Sequence, residues 1–349
     1  MIESQIKEYR NKIVNFLESD KFKKLLTGVS DEKFSNYLNY FIDFCKTGKC
    51  MRGYLVALGY AIATDTNLNL TDTPDDIILA SICYEVFETA ILAHDDIIDQ
   101  SPTRRNQTSM YKYLGKENLG TYRAICLGDY GIMLSTYLLL FVNFPQDTKL
   151  KAIKHQEEIH LNTVIGELRD IDITASKTYT KEEIMEMYYY KTALYSIIGP
   201  ITLGAILGGC NHQTIEWLNN IGKNLGYAYQ IKDDILGIYG NESNLGKPTS
   251  SDIKEGKSTI LAYIFTSLAP PELKNKFYEI YGNVKREISI QDIELIKDIF
   301  NSVNVKEKSE TILNNYITNA FAEIEKSQFS DSAKLKLTEF ANYLLNRTK

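Results

Sequence analysis

The chain is poor in proline. Only seven prolines fall in 349 residues, and six of them, Pro74, Pro102, Pro145, Pro248, Pro270 and Pro271, lie where hydrophobic patterns break. Proline ends or kinks helices, so the rest of the chain is free to form long ones. Cysteine is sparse as well. Cys45, Cys50, Cys83, Cys126 and Cys210 form no Cys-x-x-Cys pair, and His155 and His160 lie near none of them. This argues against a disulfide framework or a zinc site and for scattered, buried, reduced thiols in a cytoplasmic protein. Positive charge is not in excess: 39 Lys and Arg stand against 45 Asp and Glu, a net charge of -6. That balance disfavours a nucleic-acid or anionic-membrane partner. Despite 24 tyrosines, strand-length alternating runs bounded by hairpin turns are missing. So are internal repeats, low-complexity tracts and linkers. The first residues, MIESQIKEYRNKIVNF, are amphipathic and include acids, unlike a signal peptide.

Apolar spacings of three and four, the helical period, are what the sequence does contain. Ile6, Tyr9, Ile13 and Phe16 share one face of residues 4–17, and Phe34, Leu38, Phe41 and Phe44 share one face of 31–46. A long, mostly apolar helix is expected over 76–99, and others over 121–143, 148–173, 181–210, 213–239, 257–267, 272–282, 291–302, 306–326 and 331–347. Ser330-Asp331 reads as the cap of the last. From Thr192 to Ile215 there is no acidic or basic residue apart from His212, a run long enough to span a bilayer. Its Gly199, Pro200, Gly204, Gly208 and Gly209, with Ser196 and Thr202, favour a helix buried in a large bundle and no transmembrane segment. With 44% hydrophobic residues the chain can bury a sizeable core. The expectation is all-α: one domain over 1–349, a large helical bundle around a central cavity.

Two acidic segments carry the chemistry. His94-Asp95-Asp96-Ile97-Ile98-Asp99 is followed by Arg104-Arg105, and Gln230-Ile231-Lys232-Asp233-Asp234 by a polar loop with Lys247 and Lys257. Asp95 and Asp99, four apart, project from one helical face. Alone, such a segment is equally a solvated helix end. With arginine forks suited to phosphate beside it, it suggests carboxylates holding a hard divalent ion such as Mg²⁺ against a polyphosphate. Gly48-Lys49-Cys50-Met51-Arg52-Gly53 places two cations at a helix start, and Lys191-Thr192 heads the charge-free run.

In this order the motifs resemble those of the trans-isoprenyl diphosphate synthases, the family of farnesyl and geranylgeranyl diphosphate synthases. The similarity runs from about residue 40 to 260 and includes Asp95 to Asp99 with Arg104 and Arg105, Gln230 with Asp233-Asp234-Ile235-Leu236, and Gly48-Lys49 with Arg52. It also includes Gly128-Asp129, Lys191-Thr192 and the loop from Gly246 to Lys257. The resemblance implies an isoprenoid-synthase helical fold, a homodimer and Mg²⁺, three ions in all. Asp95, Asp96, Asp99, Asp233 and Asp234 would be the metal side. Arg104, Lys191, Lys247 and Lys257 would hold an allylic diphosphate, and Lys49, Arg52 and Arg105, with Arg347, that of isopentenyl diphosphate. Lys191, Thr192 and Gln230 would favour the carbocation formed when the allylic C–O bond ionises. Three positions depart from the pattern: Gly237 replaces the third acid of the second segment, Glu88 stands where His or Gln is usual near isopentenyl diphosphate, and Glu167 replaces Gln in Gly166-Glu167-Leu168-Arg169-Asp170.

Product length in such enzymes is set upstream of the first acidic segment. Ala90 is small where short-chain enzymes carry Phe or Tyr, with Phe87 and then Tyr84 as a lower floor. A product longer than farnesyl, geranylgeranyl diphosphate, is expected. Two other readings stand beside it: a terpene cyclase on the same fold, although cyclases seldom keep the Lys49/Arg52 site, and a subunit of a heteromeric synthase, although such subunits typically lack the acidic motifs.

Overall fold

The computed structural model describes residues 2–240, 250–283 and 287–347. Helices α1 (Ile2–Glu18), α2 (Asp20–Leu26), α3 (Ser35–Lys46) and α4 (Met51–Thr64) lead into α5 (Asp75–Ile98). A hairpin of β1 (Thr103–Arg104) and β2 (Gln107–Thr108) follows, then α6 (Met110–Tyr113), α7 (Glu117–Leu139) and α8 (Gln146–Ser176). Next come α9 (Lys181–Tyr188), a π-helical segment (Tyr189–Ile198), α10 (Gly199–Leu207) and α11 (His212–Tyr239). The described chain is completed by α12 (Ser250–Glu255), α13 (Ile260–Leu268), α14 (Pro271–Ile280), α15 (Ile290–Asn301), α16 (Val305–Lys326) and α17 (Asp331–Asn346).

The helical expectation holds, with local corrections. A short hairpin exists that alternation could not reveal, because each strand has only two residues. Its turn residues Arg105 and Asn106 have φ of 55° and 60°, the left-handed pair that a two-residue hairpin turn needs. Helix α2 arises where no helix was expected, its first turn capped by the Ser19 side chain, which accepts from the Phe22 amide at 3.2 Å. The stretch 181–210 is not one uniform α-helix, because its middle is π-wound. Such insertions recur at functional sites.

Helix α5 is the axis of the bundle, packed against α4, α7, α1 and α3. Asp75 and Asp76 occupy its first turn, where the helix dipole favours anions. Ile77, Ile82, Val86, Phe87 and Ala90 are fully enclosed, and burying each large one contributes about 1.5–3 kcal/mol. Helices Asp75–Ile98 and Lys181–Leu207 are long and apolar enough to cross a membrane by length and composition, and 78% of each such window is buried inside the bundle. The glycines of the second have a packing reason. A Cβ on Gly204 would be driven into the Val56 carbonyl, so glycine lets α10 lie directly on the α4 backbone. All five cysteines are free; Cys45, Cys50 and Cys83 are buried as expected, whereas Cys126 on α7 is exposed.

Candidate active site

A cavity of about 1480 Å³ opens at the C-terminal end of α5. Asp95 and Asp99 both line it. The hairpin brings Arg104 back onto the end of α5: its Nη2 is 2.7 Å from Asp95 Oδ2 and 2.6 Å from Asp96 Oδ1. Its Nε donates to Asp96 Oδ1 at 2.7 Å. Asp96 differs from the expectation. It is 1% exposed, does not line the cavity, and serves to grip Arg104 from behind rather than to face a metal. Burial pushes its carboxyl up to about 6, against the pull of Arg104.

Two lysines face these acids. Lys191 Nζ lies 2.6 Å from Asp170, 2.9 Å from Glu167 and 3.6 Å from Asp95. Lys257 Nζ lies 2.7 Å from Asp99 and 3.3 Å from Asp170. Asp170 is thus shared by both lysines. Burial alone would raise its carboxyl, but Lys191 and Lys257 outweigh it and hold it below the usual range. Lys191 reaches this place because the π segment leans on α8 at Gly166, where a Cβ would overlap the Lys191 backbone. The departure Glu167 is therefore a working ion-pair partner of Lys191. Lys247 lies outside the described residues.

The second acidic segment, on α11, splits in two. Asp233 lines the cavity, and its Oδ1 is 2.7 Å from Arg347 Nη2. Arg347 also donates to the Tyr229 carbonyl at 2.7 Å and lies over the Tyr229 ring at 3.8 Å. So the C-terminal arginine sits on the second acidic segment, not with Lys49 and Arg52. Asp234 is 4% exposed; it accepts from the Tyr188 hydroxyl and from Gln230 Nε2, the latter at 2.8 Å. Burial pushes its carboxyl up to about 8; it lines the cavity beside Asp233, and its carboxylate oxygens are engaged by Tyr188 and Gln230. Its chain of contacts continues from Gln230, whose Oε1 accepts from the Thr192 hydroxyl at 2.6 Å. Gly237 is explained by its neighbour: a Cβ there would run into the carboxylate of Asp252, which lines the same cavity. An acid from α12 fills the space that a third acid of α11 would need.

The same cavity is lined by Lys49, Arg52 and Arg105. Adjacent arginines of the hairpin thus take different partners: Arg104 pairs with Asp95 and Asp96, Arg105 with Glu88 and the Phe44 carbonyl. Arg105 donates to the Phe44 carbonyl at 3.1 Å, and Arg52 to the Ser196 hydroxyl at 2.8 Å. Glu88 stands between them, 2.7 Å from Arg52 Nη1 and 3.4 Å from Arg105 Nη2.

The apolar wall differs from the expected floor. On α5 the lining residues are Glu88, Ile91, Leu92, His94, Asp95, Ile97 and Ile98, whereas Tyr84, Phe87 and Ala90 do not line the cavity. Ala90 faces α7, where a Cβ on Gly131 would lie 2.8 Å from its methyl. Phe87 stacks on His160 with ring centroids 3.7 Å apart and meets Tyr195 edge-on at 6.1 Å. Tyr195 and Thr163 do line the cavity, so the Phe87–His160 pair forms the layer beneath. Tyr84 is fully buried as well. Tyr188 and Glu85 stand in no spacing that marks a role, whereas Asp252 lies within the loop from Gly246 to Lys257.

The oxygen-only donor set suits Mg²⁺, which binds through one or two carboxylates and completes its shell with water and substrate phosphate. Among the described residues no group of three acids, histidines or cysteines forms a ready metal cage. Asp95, Asp99 and Asp233 are neutralised by Arg104, Lys257 and Arg347 instead. That arrangement fits an ion that arrives with a diphosphate.

Residues 31–301 match the family model for polyprenyl synthetases. A geranylgeranyl diphosphate synthase of Sulfolobus acidocaldarius is 31% identical over 281 residues, 77% of this chain and 80% of that protein. A short chain isoprenyl diphosphate synthase of Methanothermobacter thermautotrophicus is 28% identical over 274 residues, 78% of this chain and 81% of that protein. The fold matches the crystal structure of geranylgeranyl pyrophosphate synthase from Corynebacterium glutamicum, complexed with isoprenyl diphosphate and magnesium, with a TM-score of 0.88, 22% identity and 99% of both chains covered. The chain belongs to the polyprenyl synthetase family and is a trans-isoprenyl diphosphate synthase, a prenyltransferase.

Proposed function

We propose that this prenyltransferase condenses isopentenyl diphosphate with an allylic diphosphate and releases linear geranylgeranyl diphosphate. One observation carries the reading. A single cavity is lined by two sets of cations, Arg104–Lys191–Lys257 with the acids and the trio Lys49–Arg52–Arg105, together with apolar side chains such as Ile91, Leu92 and Ile132. Two diphosphates and a growing hydrocarbon tail need that layout.

The allylic diphosphate would take over Lys191 and Lys257 from Asp170. Asp95, Asp99 and Asp233 would hold Mg²⁺, three ions in this reading, which supplies charge neutralisation of the leaving diphosphate. The remaining chemistry belongs to the chain. Arg104, Lys191 and Lys257 bind the departing oxygens, so charge developing in the C–O cleavage meets preorganised cations. The Thr192 hydroxyl, the Gln230 amide and the Lys191 carbonyl face the allylic cation. Buried Asp234 fixes Gln230, and Tyr188 fixes Asp234. The isopentenyl double bond, placed by Lys49, Arg52 and Arg105, attacks the cation, and the proton then lost passes to the departed diphosphate.

A second copy of this chain is the partner we favour. Leu119, Tyr122 and Met133 of α7 and Leu161, Val164 and Leu168 of α8 are exposed, an apolar face that a homodimer would cover. A cytoplasmic setting, in keeping with five free thiols, belongs to the same reading.

The test is purified protein with Mg²⁺, isopentenyl diphosphate and, separately, dimethylallyl, geranyl or farnesyl diphosphate, read by mass spectrometry. A ladder ending at geranylgeranyl diphosphate is expected. Hydrocarbon or alcohol formed without isopentenyl incorporation would make it a cyclase. No turnover by the chain alone would point to a heteromeric subunit.

A further inference from the structure

The cations assigned to isopentenyl diphosphate already have anions beside them. Glu88, with 15% of its side chain exposed, pairs with Arg52 and Arg105. Arg52 is fixed from behind by Ser196 and by the Tyr195 ring, 4.4 Å from the guanidinium carbon. One residue short of a turn earlier on α5, Glu85 is 1% exposed. Its Oε1 accepts from the Gly53 amide at 2.7 Å, while its Oε2 has no hydrogen-bond partner. Two carboxyls therefore lie three residues apart on α5 in a buried pocket, Glu88 held by two guanidiniums and Glu85 by a backbone amide.

We infer that Glu85 and Glu88 form the built-in counter-anion of the acceptor site: a diphosphate reaching Arg52 and Arg105 displaces Glu88, and the carboxyl pair takes up a proton as it binds. The inference rests on the function proposed above. A diphosphate adds two or more negative charges beside Glu88, and like charges this close in a poorly solvated site repel strongly. A proton is the least costly relief, because Glu85 is already pushed toward neutrality. Burial and the charge of Glu88 push Glu85 up to about 7. Burial also raises Glu88, but Arg52 and Arg105 outweigh it and hold it below the usual range. Once the diphosphate shares those arginines, that support is withdrawn.

The groups around the pair do not take over the role. Against the effect of burial, Glu88 holds Arg52 above its usual value, so it stays charged. The Cys45 thiol is pushed up to about 12 by burial, and that of Cys50 well above its usual value. Burial likewise pushes Tyr229 up to about 12. Tyr195 packs its ring on Arg52, Lys49 lines the same cavity, and Arg10 is engaged by the Gly48 carbonyl at 2.7 Å. His94 on the same helix faces Asp129 at 3.5 Å.

Calorimetry of isopentenyl diphosphate binding, run at one pH in buffers of different ionisation enthalpy, reads the protons exchanged. The wild type is expected to take up more protons than Glu88→Gln, which corrects for any proton lost by the ligand itself. Glu88→Gln is also expected to bind about tenfold tighter near neutral pH, a fraction of the unscreened repulsion, with an affinity less sensitive to pH. Equal proton counts and equal affinities in the two proteins would overturn the inference while leaving the proposed function intact. If neither protein binds isopentenyl diphosphate, the functional reading fails and takes this inference with it. Should Glu88→Gln melt well below the wild type, Glu85→Gln carries the same comparison: its proton count should also fall, and an unchanged count would refute the pair.

Discussion

Removing the Phe87 ring should lengthen the product. Phe87 is fully buried, stacked on His160 and in contact with Tyr195, which lines the cavity. His160 is 4% exposed, and its Nδ1 lies 3.6 Å from Glu157 Oε1. Burial lowers its pKa against the pull of Glu157, and its ring packs flat on Phe87. Phe87→Ala would empty roughly 100 Å³, about the volume of one isoprene unit, and at ~24 cal/mol per Å³ the void alone costs about 2.4 kcal/mol. With the lost transfer energy the total is about 3–5 kcal/mol. A growing tail that pushes Tyr195 aside could fill this void. Products formed from isopentenyl and farnesyl diphosphate, read by mass spectrometry, should therefore shift up by one unit, and the melting temperature of the unliganded protein should fall by several degrees. A lower melting temperature with the wild-type product distribution would refute the reasoning: Phe87 would then be core and the floor would lie elsewhere.

Ala90→Tyr was the natural substitution for shortening the product, but Ala90 is fully buried against α7. Its main effect should be overpacking by about 1–3 kcal/mol or more, seen as a drop in the denaturant midpoint; wild-type stability with shorter products would restore Ala90 as the floor. Gly237→Asp should not act as a gain of an acid. Its side chain would meet the Asp252 carboxylate, so reduced stability is expected, partly relieved in the double variant with Asp252→Gly. Additive losses in that double-mutant cycle would contradict direct contact. Asp170 contributes a pH dependence of stability. Its folded pKa is depressed by Lys191 and Lys257 against the effect of burial, so its contribution is present above the unfolded carboxylate pKa and is lost as pH falls through the lower folded value. Urea midpoints measured on descending pH should fall less steeply for Asp170→Asn than for wild type; parallel curves would argue against the shared ion pair.

Much of this protein was written in local spacing. The helical period, the scarcity of proline and the absence of alternating strands determined an all-α chain, because period and breakers act within a few residues. Asp95 and Asp99 on one face, Arg104 and Arg105 after them, and Gln230 before Asp233 identified the chemistry, since each spacing alone fixes which way side chains project. Tertiary structure decided which member of each pair does what. Asp95 lines the cavity while Asp96 turns inward to grip Arg104, and Asp233 faces Arg347 while Asp234 is buried under Tyr188. Neighbouring residues on a helix differ by about 100° in direction, but only the packing of the other helices determines which direction is cavity and which is core. The same holds for Ala90 and Ile91: one faces α7 and the other the cavity. Glu88 pairs with Arg52 and Arg105, and Glu85 accepts from the Gly53 amide, only because α4, α5 and the hairpin converge, and Asp252 answers Gly237 from a different helix. Such contacts join residues distant in the chain, and no local spacing encodes them.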